Sequence, residues 1–399
     1  MGRVRDADTI EALRAHAKRR LPRAVFDFID GGSDAEVTLG RNGRDLAEIS
    51  FVPWQLRDVS KRDLSTKILG VRSGLPLVIA PTGLAALGWP QADIALARAA
   101  RSFNIPFTIS TASSVRLETI AAAAEGARLW FQVYIYRDRD LVTSLVERSR
   151  AAGVEALVVT VDTPVLGWRR RDHANRFTVP LKATPALALD LARCASWSLQ
   201  IARYGVPRMQ NFVDAGQGDD IVSLSKLMAN NMDASVTWND IRRLRDRWPR
   251  KMIVKGVLTP ADAIEALEAG VDGVQVSNHG GRQLDGAIST ISALPGVVAA
   301  VAGGAEVLID SGFRHGSDIA KAVAMGATAV AVGRATLFGV SAGGAAGAHR
   351  ALEILQTEYD RCLALLGCRS TAELDVSRVA PGFPVRYQPL APPPRARPK

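Results

Sequence analysis

Eight short apolar runs, each followed by a segment of helical period, constrain this chain more than any other feature. They are PLVIAP from Pro76, PFTIS from Pro106, WFQVYI from Trp130, ALVVTVD from Ala156, MIVKG from Met252, GVQVSN from Gly273, EVLIDSG from Glu306 and AVAVGR from Ala329. A strand that is apolar along its whole length is covered on both faces, as a parallel strand flanked by helices is. Eight of them suggest closure into a barrel, because closure leaves no unpaired edge. The expected fold is α/β: a single (β/α)8 TIM barrel with N-terminal helices and a long loop after strand 4, where Met252 follows Ala156 only after a wide gap. A chain of 399 residues is long for one domain, but barrels routinely use that much, and residues 1–389 are read as one unit.

Ahead of the barrel, DTIEALRAHAKRRLPRAVFDFIDGGS reads as two helices, with Ile10, Leu13, Ala17 and Leu21 at helical spacing. Gly31-Gly32 is expected to end the second in a left-handed turn. AHRALEILQTEYDRCLALLG gives an amphipathic helix after the barrel, and the Pro-rich tail 390–399 is expected to be disordered. Fifty basic residues against forty acidic ones leave a net charge of +10, which suits nucleic acid, anionic lipid, or acidic substrates and phosphate groups. The arginines are scattered without interleaved aromatics, so no nucleic-acid partner is expected. Cys194, Cys362 and Cys368 form neither a metal-ligand pattern nor a disulfide framework, which fits a reducing cytoplasm and no metal site. The N-terminus lacks a signal-peptide core, and no apolar run reaches the about eighteen residues a membrane span requires.

In barrels of this kind chemistry sits at the C-terminal ends of the strands, and the polar residues of the apolar runs gather there. In strand order they are Pro81-Thr82-Gly83, Ser110, Gln132 with Tyr134, Thr160 with Asp162, Lys255, Ser277-Asn278-His279, Asp310-Ser311 and Gly333-Arg334. A strand buried on both faces gains nothing from such groups unless they are paired or functional. The loops DSGFRHGSD and VGRATLFG combine Gly312 and Gly333 with Arg314 and Arg334, which suits a phosphate held by backbone N–H groups and a helix N-terminus. Ordinary loop glycines with two solvated arginines would give the same pattern. VSNHGGRQLD, Val276 to Asp285, is the sharpest segment. His279 has the chemistry of a base near neutral pH, and Arg282 can hold a carboxylate through two parallel hydrogen bonds. The pair suits proton removal next to a carboxylate, although a lone histidine is more often a satisfied structural residue.

From about Ile10 to Pro381 the chain resembles the FMN-dependent L-2-hydroxy acid oxidase and dehydrogenase family, which includes glycolate oxidase, lactate dehydrogenases and mandelate dehydrogenase. SNHGGRQLD is highly specific to that family, and LPRAVFDFIDGGS, APTG, FQVY, TVDTP, IVKGV and IDSGFRHGSD match in order. PTGLAALGWPQADIALARAA, SWSLQIARYGVP, MDASVTW and RLRDRWP resemble the membrane-associated mandelate dehydrogenases in particular. The resemblance implies that His279 is the active-site base, with Asp162 stabilising its imidazolium. It implies that Arg282 and Arg169 bind the substrate carboxylate and that Tyr134 hydrogen-bonds the substrate. Lys255 would stabilise negative charge on the flavin as it is reduced. Pro81, Thr82, Gly83, Ser110, Gln132, Thr160 and Ser277 would contact the isoalloxazine and ribityl parts of FMN. Asp310, Ser311, Gly312, Arg314, Gly333 and Arg334 would hold the rest, phosphate included. Electrons would pass to a quinone or another carrier; the alternatives are an oxidase that uses O2 and makes H2O2, and a flavin-dependent isomerase without net redox chemistry. The family tends to form tetramers.

Two positions depart from the pattern or refine it. Many members carry Tyr where this chain has Phe28, which cannot donate a bond to the substrate carboxylate; this implies either weaker substrate affinity or a larger, more apolar acid. Gly83 stands where oxidases of the family often have Ala, which the resemblance associates with dehydrogenases. The long fourth loop contains a basic, Trp-bearing stretch at residues 183–210, with Leu187, Leu189, Leu191, Trp197, Leu199 and Ile201 among Lys182, Arg193, Arg203 and Arg208. It suits an anionic membrane surface, an active-site lid, or a helix packed on the barrel or a neighbouring subunit. In mandelate dehydrogenases this segment anchors the enzyme to the membrane, so a cytoplasmic protein peripheral on the inner face of the membrane is expected.

Overall fold

A computed structural model describes residues 2–177, 190–213 and 230–381. A hairpin of β1 (Thr66–Ile68) and β2 (Val71–Ser73) precedes the barrel. Each of the eight apolar runs then supplies one barrel strand: β3 Leu77–Ile79, β4 Phe107–Ile109, β5 Leu129–Val133, β6 Ala156–Thr160, β7 Lys251–Val257, β8 Gly273–Val276, β9 Glu306–Asp310 and β10 Ala329–Val332. Each pairs with its neighbours in parallel, and β10 returns to β3 to close the ring.

Alternate residues of each strand face inward. Near the N-terminal ends these positions are apolar, and Val78, Trp130, Val158, Ile253, Leu308 and Ala329 form a cluster separate from the outer core. Two residues further along the same strands stand Ala80, Gln132, Thr160, Lys255, Asp310 and Ala331. The barrel is therefore an apolar plug below and a polar floor above. Ile68 and Leu69 of the hairpin join the plug from beneath, and the Glu306 carboxylate fixes them by accepting from Leu69 N at 2.8 Å and Gly70 N at 3.2 Å. Three-residue strands carry no readable alternation, which is why the hairpin left no signature in the sequence.

The two expected N-terminal helices are Ile10–Arg20 and Arg23–Asp30, and a third, Val37–Glu48, follows. Gly31 corrects an expectation: it leaves its helix at φ −70°, ψ 160°, extended rather than left-handed. The last carbonyls of that helix need no local turn, because arginines from the barrel loops satisfy them, as described below. Arg334–Leu366 is helical apart from a break at Gly343 and Gly344, and its second piece is the expected amphipathic helix.

In the fourth loop, Ala195–Tyr204 is helical, but Trp197 does not face outward as a membrane-surface reading of this stretch requires. It is buried, and its indole N–H donates to Leu87 O at 2.7 Å. Among the described residues 190–213, Leu199, Tyr204 and Val206 are the exposed large apolar side chains. Residues 183–189 of the proposed surface segment and the tail 390–399 lie outside the described residues. Among the described residues, no helix is long and apolar enough to cross a membrane.

Trp130 fills the lower barrel. Trp130→Ala should cost about 3–5 kcal/mol, as large aromatic truncations in a packed core do. A lowered thermal midpoint with cofactor binding retained is the expected measurement, since the polar floor two residues above is untouched.

Candidate active site

A cavity of about 780 Å³ opens above the polar floor, and the strand ends and the N-terminal segment line it. Of the residues singled out in the sequence, Phe28, Pro81, Thr82, Gly83, Ser110, Gln132, Tyr134, Thr160, Arg169, Lys255, His279, Asp310, Ser311, Gly312, Arg282, Arg314, Gly333 and Arg334 all reach its wall. Three do not. Asp162 stands behind His279, Ser277 is wholly buried beneath it, and Asn278 is buried and bonded to the Asn42 side chain. The Ser277 hydroxyl donates to Asp310 Oδ1 at 2.7 Å and accepts from His279 N at 3.1 Å, so it helps to hold the loop that bears His279.

His279 sits in the left-handed region at φ +57°, an uncommon conformation for a non-glycine residue and one that tends to mark functional sites. Its Nδ1 lies 2.8 Å from Asp162 Oδ1, which leaves Nε2 to face away from the carboxylate. The side chain is 26% exposed, so the ring is reachable from the cavity. Asp162 Oδ2 is 3.5 Å from Lys255 Nζ, which is in turn 3.8 Å from Asp310 Oδ2. Burial alone would raise the Asp162 carboxyl, but His279 and Lys255 hold it well below the usual carboxylate range. Burial lowers the His279 imidazole below 6.5, with Lys255 adding to the effect and Asp162 opposing it. The ring is thus a neutral base at pH 7, backed by a carboxylate that favours its protonated form. Gly256 makes the arrangement possible: it lies at φ +112° beside a register shift in β7, and a Cβ there would stand 2.7 Å from Asp162 Cβ.

A group of arginines defines the electrostatics. Arg282 donates to Phe28 O and Gly31 O at 2.8 and 2.9 Å, and Arg334 to Ile29 O, Gly280 O and Gly31 O at 3.1, 2.9 and 2.7 Å. Both guanidinium groups thereby rest on the carbonyl end of the helix Arg23–Asp30, where the dipole is negative. Burial pulls Arg282 well below its ordinary value, and the neighbouring cations Arg169 and Arg334 pull it further. Burial and then Arg314 lower Arg334 to about 9, and Arg314 itself is lowered by burial. So much poorly neutralised positive charge favours an anion in the cavity. Arg169 pairs with Asp172 at 3.5 Å; Arg171 is spent on Asp30 at 3.0 Å and on Glu36, and Arg170 is exposed. Phe28 lies under both Arg169 and Arg282, 5.5 and 5.3 Å from its ring centre, and stacks on Phe177 at 4.8 Å.

Sequence reasoning missed Phe177, Met209, Leu166, Trp168, His173 and Gln283, which also line the cavity. Trp168 and His173 stack at 3.6 Å. Only Gln283 carried a signal, as part of the VSNHGGRQLD segment; the others lie in loops whose return to the cavity no local pattern reveals.

The chain belongs to the FMN-dependent dehydrogenase family, whose model matches residues 17–381. Among its relatives, (S)-mandelate dehydrogenase of Pseudomonas putida is 42% identical over 374 residues, 94% of this chain and 93% of that protein. L-lactate dehydrogenase of Pseudomonas syringae pv. syringae is 39% identical over 366 residues, 91% of this chain and 96% of that protein. A crystal structure of the monotopic membrane protein (S)-mandelate dehydrogenase matches with a TM-score of 0.91 at 42% identity, covering 94% of this chain and 99% of that one. A crystal structure of mandelate oxidase matches with a TM-score of 0.80 at 37% identity, covering 94% and 98%.

The cavity's chemistry fits FMN. Gln132 Nε2, Thr160 Oγ1 and Lys255 Nζ are buried side-chain atoms on adjacent strands without a hydrogen-bond partner among the described residues. Such orphans are costly unless a polar ligand meets them. Arg314 makes one neutral contact, to Phe313 O at 2.8 Å, and rests on the Phe338 ring, so its charge suits a phosphate.

Because Asp162 raises the affinity of His279 for a proton, Asp162→Asn should lower the pH at which the ring titrates still further below 6.5. Histidine-selective NMR of the two proteins measures this; an upward shift would contradict the electrostatic account.

Proposed function

We propose that this enzyme oxidises an L-2-hydroxy acid of mandelate or lactate type to the 2-keto acid and passes the electrons to a quinone or another carrier. The observation that carries this reading is the His279–Asp162 pair, three residues from the Arg282 guanidinium, whose hydrogen bonds among the described residues go to neutral carbonyls. Arg282 and Arg169 hold the substrate carboxylate, which restores to Arg282 the negative partner its burial calls for. Tyr134 donates to the substrate; burial raises its phenol well above 10, so it stays protonated. His279 Nε2 takes a proton from the substrate, and Asp162 stabilises the imidazolium that results. When bound, FMN supplies the acceptor for the two electrons released as C2 and its hydroxyl each lose hydrogen. Lys255, opposite Thr160 in the β6–β7 register, adds positive charge to the floor; with Gln132, Thr160 and Ser110 it holds the flavin, while Arg314, Gly312 and Gly333 hold the phosphate.

Phe28 supports an aryl or bulky alkyl acid. With Phe177 it presents a stacked aromatic wall, and it lacks the hydroxyl that would otherwise add a hydrogen bond to the carboxylate. Gly83 supports the dehydrogenase over the oxidase through the family resemblance, and a Cβ there would stand 2.9 Å from Ala112 Cβ, too close without a shift. The existence of mandelate oxidases among the relatives makes O2 the rival acceptor. We further propose a homotetramer, and a cytoplasmic enzyme peripheral on the inner membrane face through Leu199, Tyr204 and Val206 beside Arg203, with Trp197 serving the fold.

Three outcomes are expected. With FMN and an artificial acceptor dye, the enzyme should convert (S)-mandelate or L-lactate, but not the opposite enantiomer, to the keto acid; an FMN-loaded protein that turns over no acid would remove the reading. Phe28→Tyr should lower the KM for small acids about tenfold, as a restored hydrogen bond to a charged group is worth roughly 1.5–3 kcal/mol. Leu199→Glu should weaken sedimentation with anionic phosphatidylglycerol vesicles without loss of turnover; undiminished sedimentation would exclude that face as the anchor.

A further inference from the structure

The run from Asp162 to Arg169 carries a partner of the base at one end and a ligand for the carboxylate at the other. It leaves the barrel at Val161, whose N–H reaches Lys255 O at 2.9 Å, and is next tied down at Trp168, whose carbonyl accepts from Asp34 N at 2.8 Å. Between these points, the tertiary hydrogen bonds of its backbone among the described residues converge on one side chain. Gln283 Nε2 donates to Asp162 O and to Val165 O, both at 3.0 Å, and Gln283 Oε1 accepts from Gly167 N at 3.1 Å. Both N–H groups of the carboxamide and its oxygen are thereby used. The two loops touch so closely that a Cβ on Gly167 would stand 2.3 Å from Arg282 O and 2.9 Å from Gln283 Cα. Gln283 follows Arg282 directly, and its own carbonyl accepts from the Ser33 hydroxyl. The loop that bears His279 and Arg282 is therefore joined through one carboxamide to the segment that bears Asp162 and Arg169.

We propose that Gln283 is a positioning residue for the oxidation: by bonding to Asp162 O, Val165 O and Gly167 N it sets the spacing between the His279–Asp162 pair and the Arg169–Arg282 carboxylate site. This rests on the function proposed above. Gln283 need not touch the substrate; it acts on both halves of the site at once. A misplacement of about 1 Å between reacting groups is enough to cost on the order of a hundredfold in rate.

Gln283→Met keeps the length and packing of the side chain and removes all three bonds, while Gln283→Ala removes the three bonds and the packing together. The readouts are the Kd of benzoate, an inert aryl carboxylate, by calorimetry on the FMN-loaded enzyme, and KM and kcat for the best acid. Both variants should weaken benzoate about tenfold, raise KM comparably and lower kcat, with the flavin spectrum retained. A methionine variant within twofold of wild type in Kd, KM and kcat would overturn the proposal. A drop in thermal midpoint with benzoate affinity and KM unchanged would also overturn it, by making Gln283 a staple of the fold alone. Failure of the functional reading shows separately, in wild-type enzyme that binds no benzoate and oxidises no acid; that result removes the proposal as well.

Discussion

A single buried carboxylate, Asp162, ties the fold to the chemistry. Taking a carboxylate out of water is costly unless charges and hydrogen bonds compensate it, and here the compensation comes from different strands: His279 from the loop after β8 and Lys255 from β7. Each of these depends on local structure that would otherwise be unfavourable. Gly256 bends β7 away to admit the Asp162 side chain, and His279 occupies a left-handed backbone position that Ser277, from below, helps to hold. The same carboxylate both lets a cation sit in the barrel floor and keeps an imidazole ready to accept a proton. Removing it would therefore disturb the floor and the base together.

The second constraint is the excess of positive charge. Arg282 and Arg334 are anchored by neutral carbonyls at the end of the helix Arg23–Asp30 rather than by carboxylates. That choice fixes their geometry while leaving their charge largely uncompensated, and a buried cation so treated attracts any anion of matching shape. Arg14 and Arg171 show the opposite solution on the outer side of that helix, where both pair with Asp30. The contrast separates arginines that hold the structure from those that await a ligand.

Much of this was legible in the chain. All eight barrel strands are buried on both faces and therefore read as unbroken apolar runs, and the polar residues that interrupt them mark the end of the barrel where the cavity lies. The hairpin β1–β2 was not legible, because its strands are too short to show a period. Gly31 was misread because the usual local cap is replaced by arginines that are more than 250 residues distant in sequence. The place of Trp197 is not legible because an amphipathic helix offers the same pattern to a membrane and to a protein surface; its indole bond to Leu87 O shows that this side chain packs on the protein. The bond from the Ser277 hydroxyl to Asp310 is not legible in the motif, because the two residues lie on different strands. The importance of Gln283 is tertiary: nothing in VSNHGGRQLD reveals that the loop after β6 comes to rest on it.

The most direct test of the account is an anaerobic spectral titration of the FMN-loaded enzyme with (S)-mandelate and then L-lactate. The arrangement of base, carboxylate site and flavin pocket predicts that at least one of these acids bleaches the oxidised flavin band stoichiometrically, while its mirror image leaves the spectrum unchanged. A yellow protein whose band survives a saturating excess of every L-2-hydroxy acid tried would contradict the central claim.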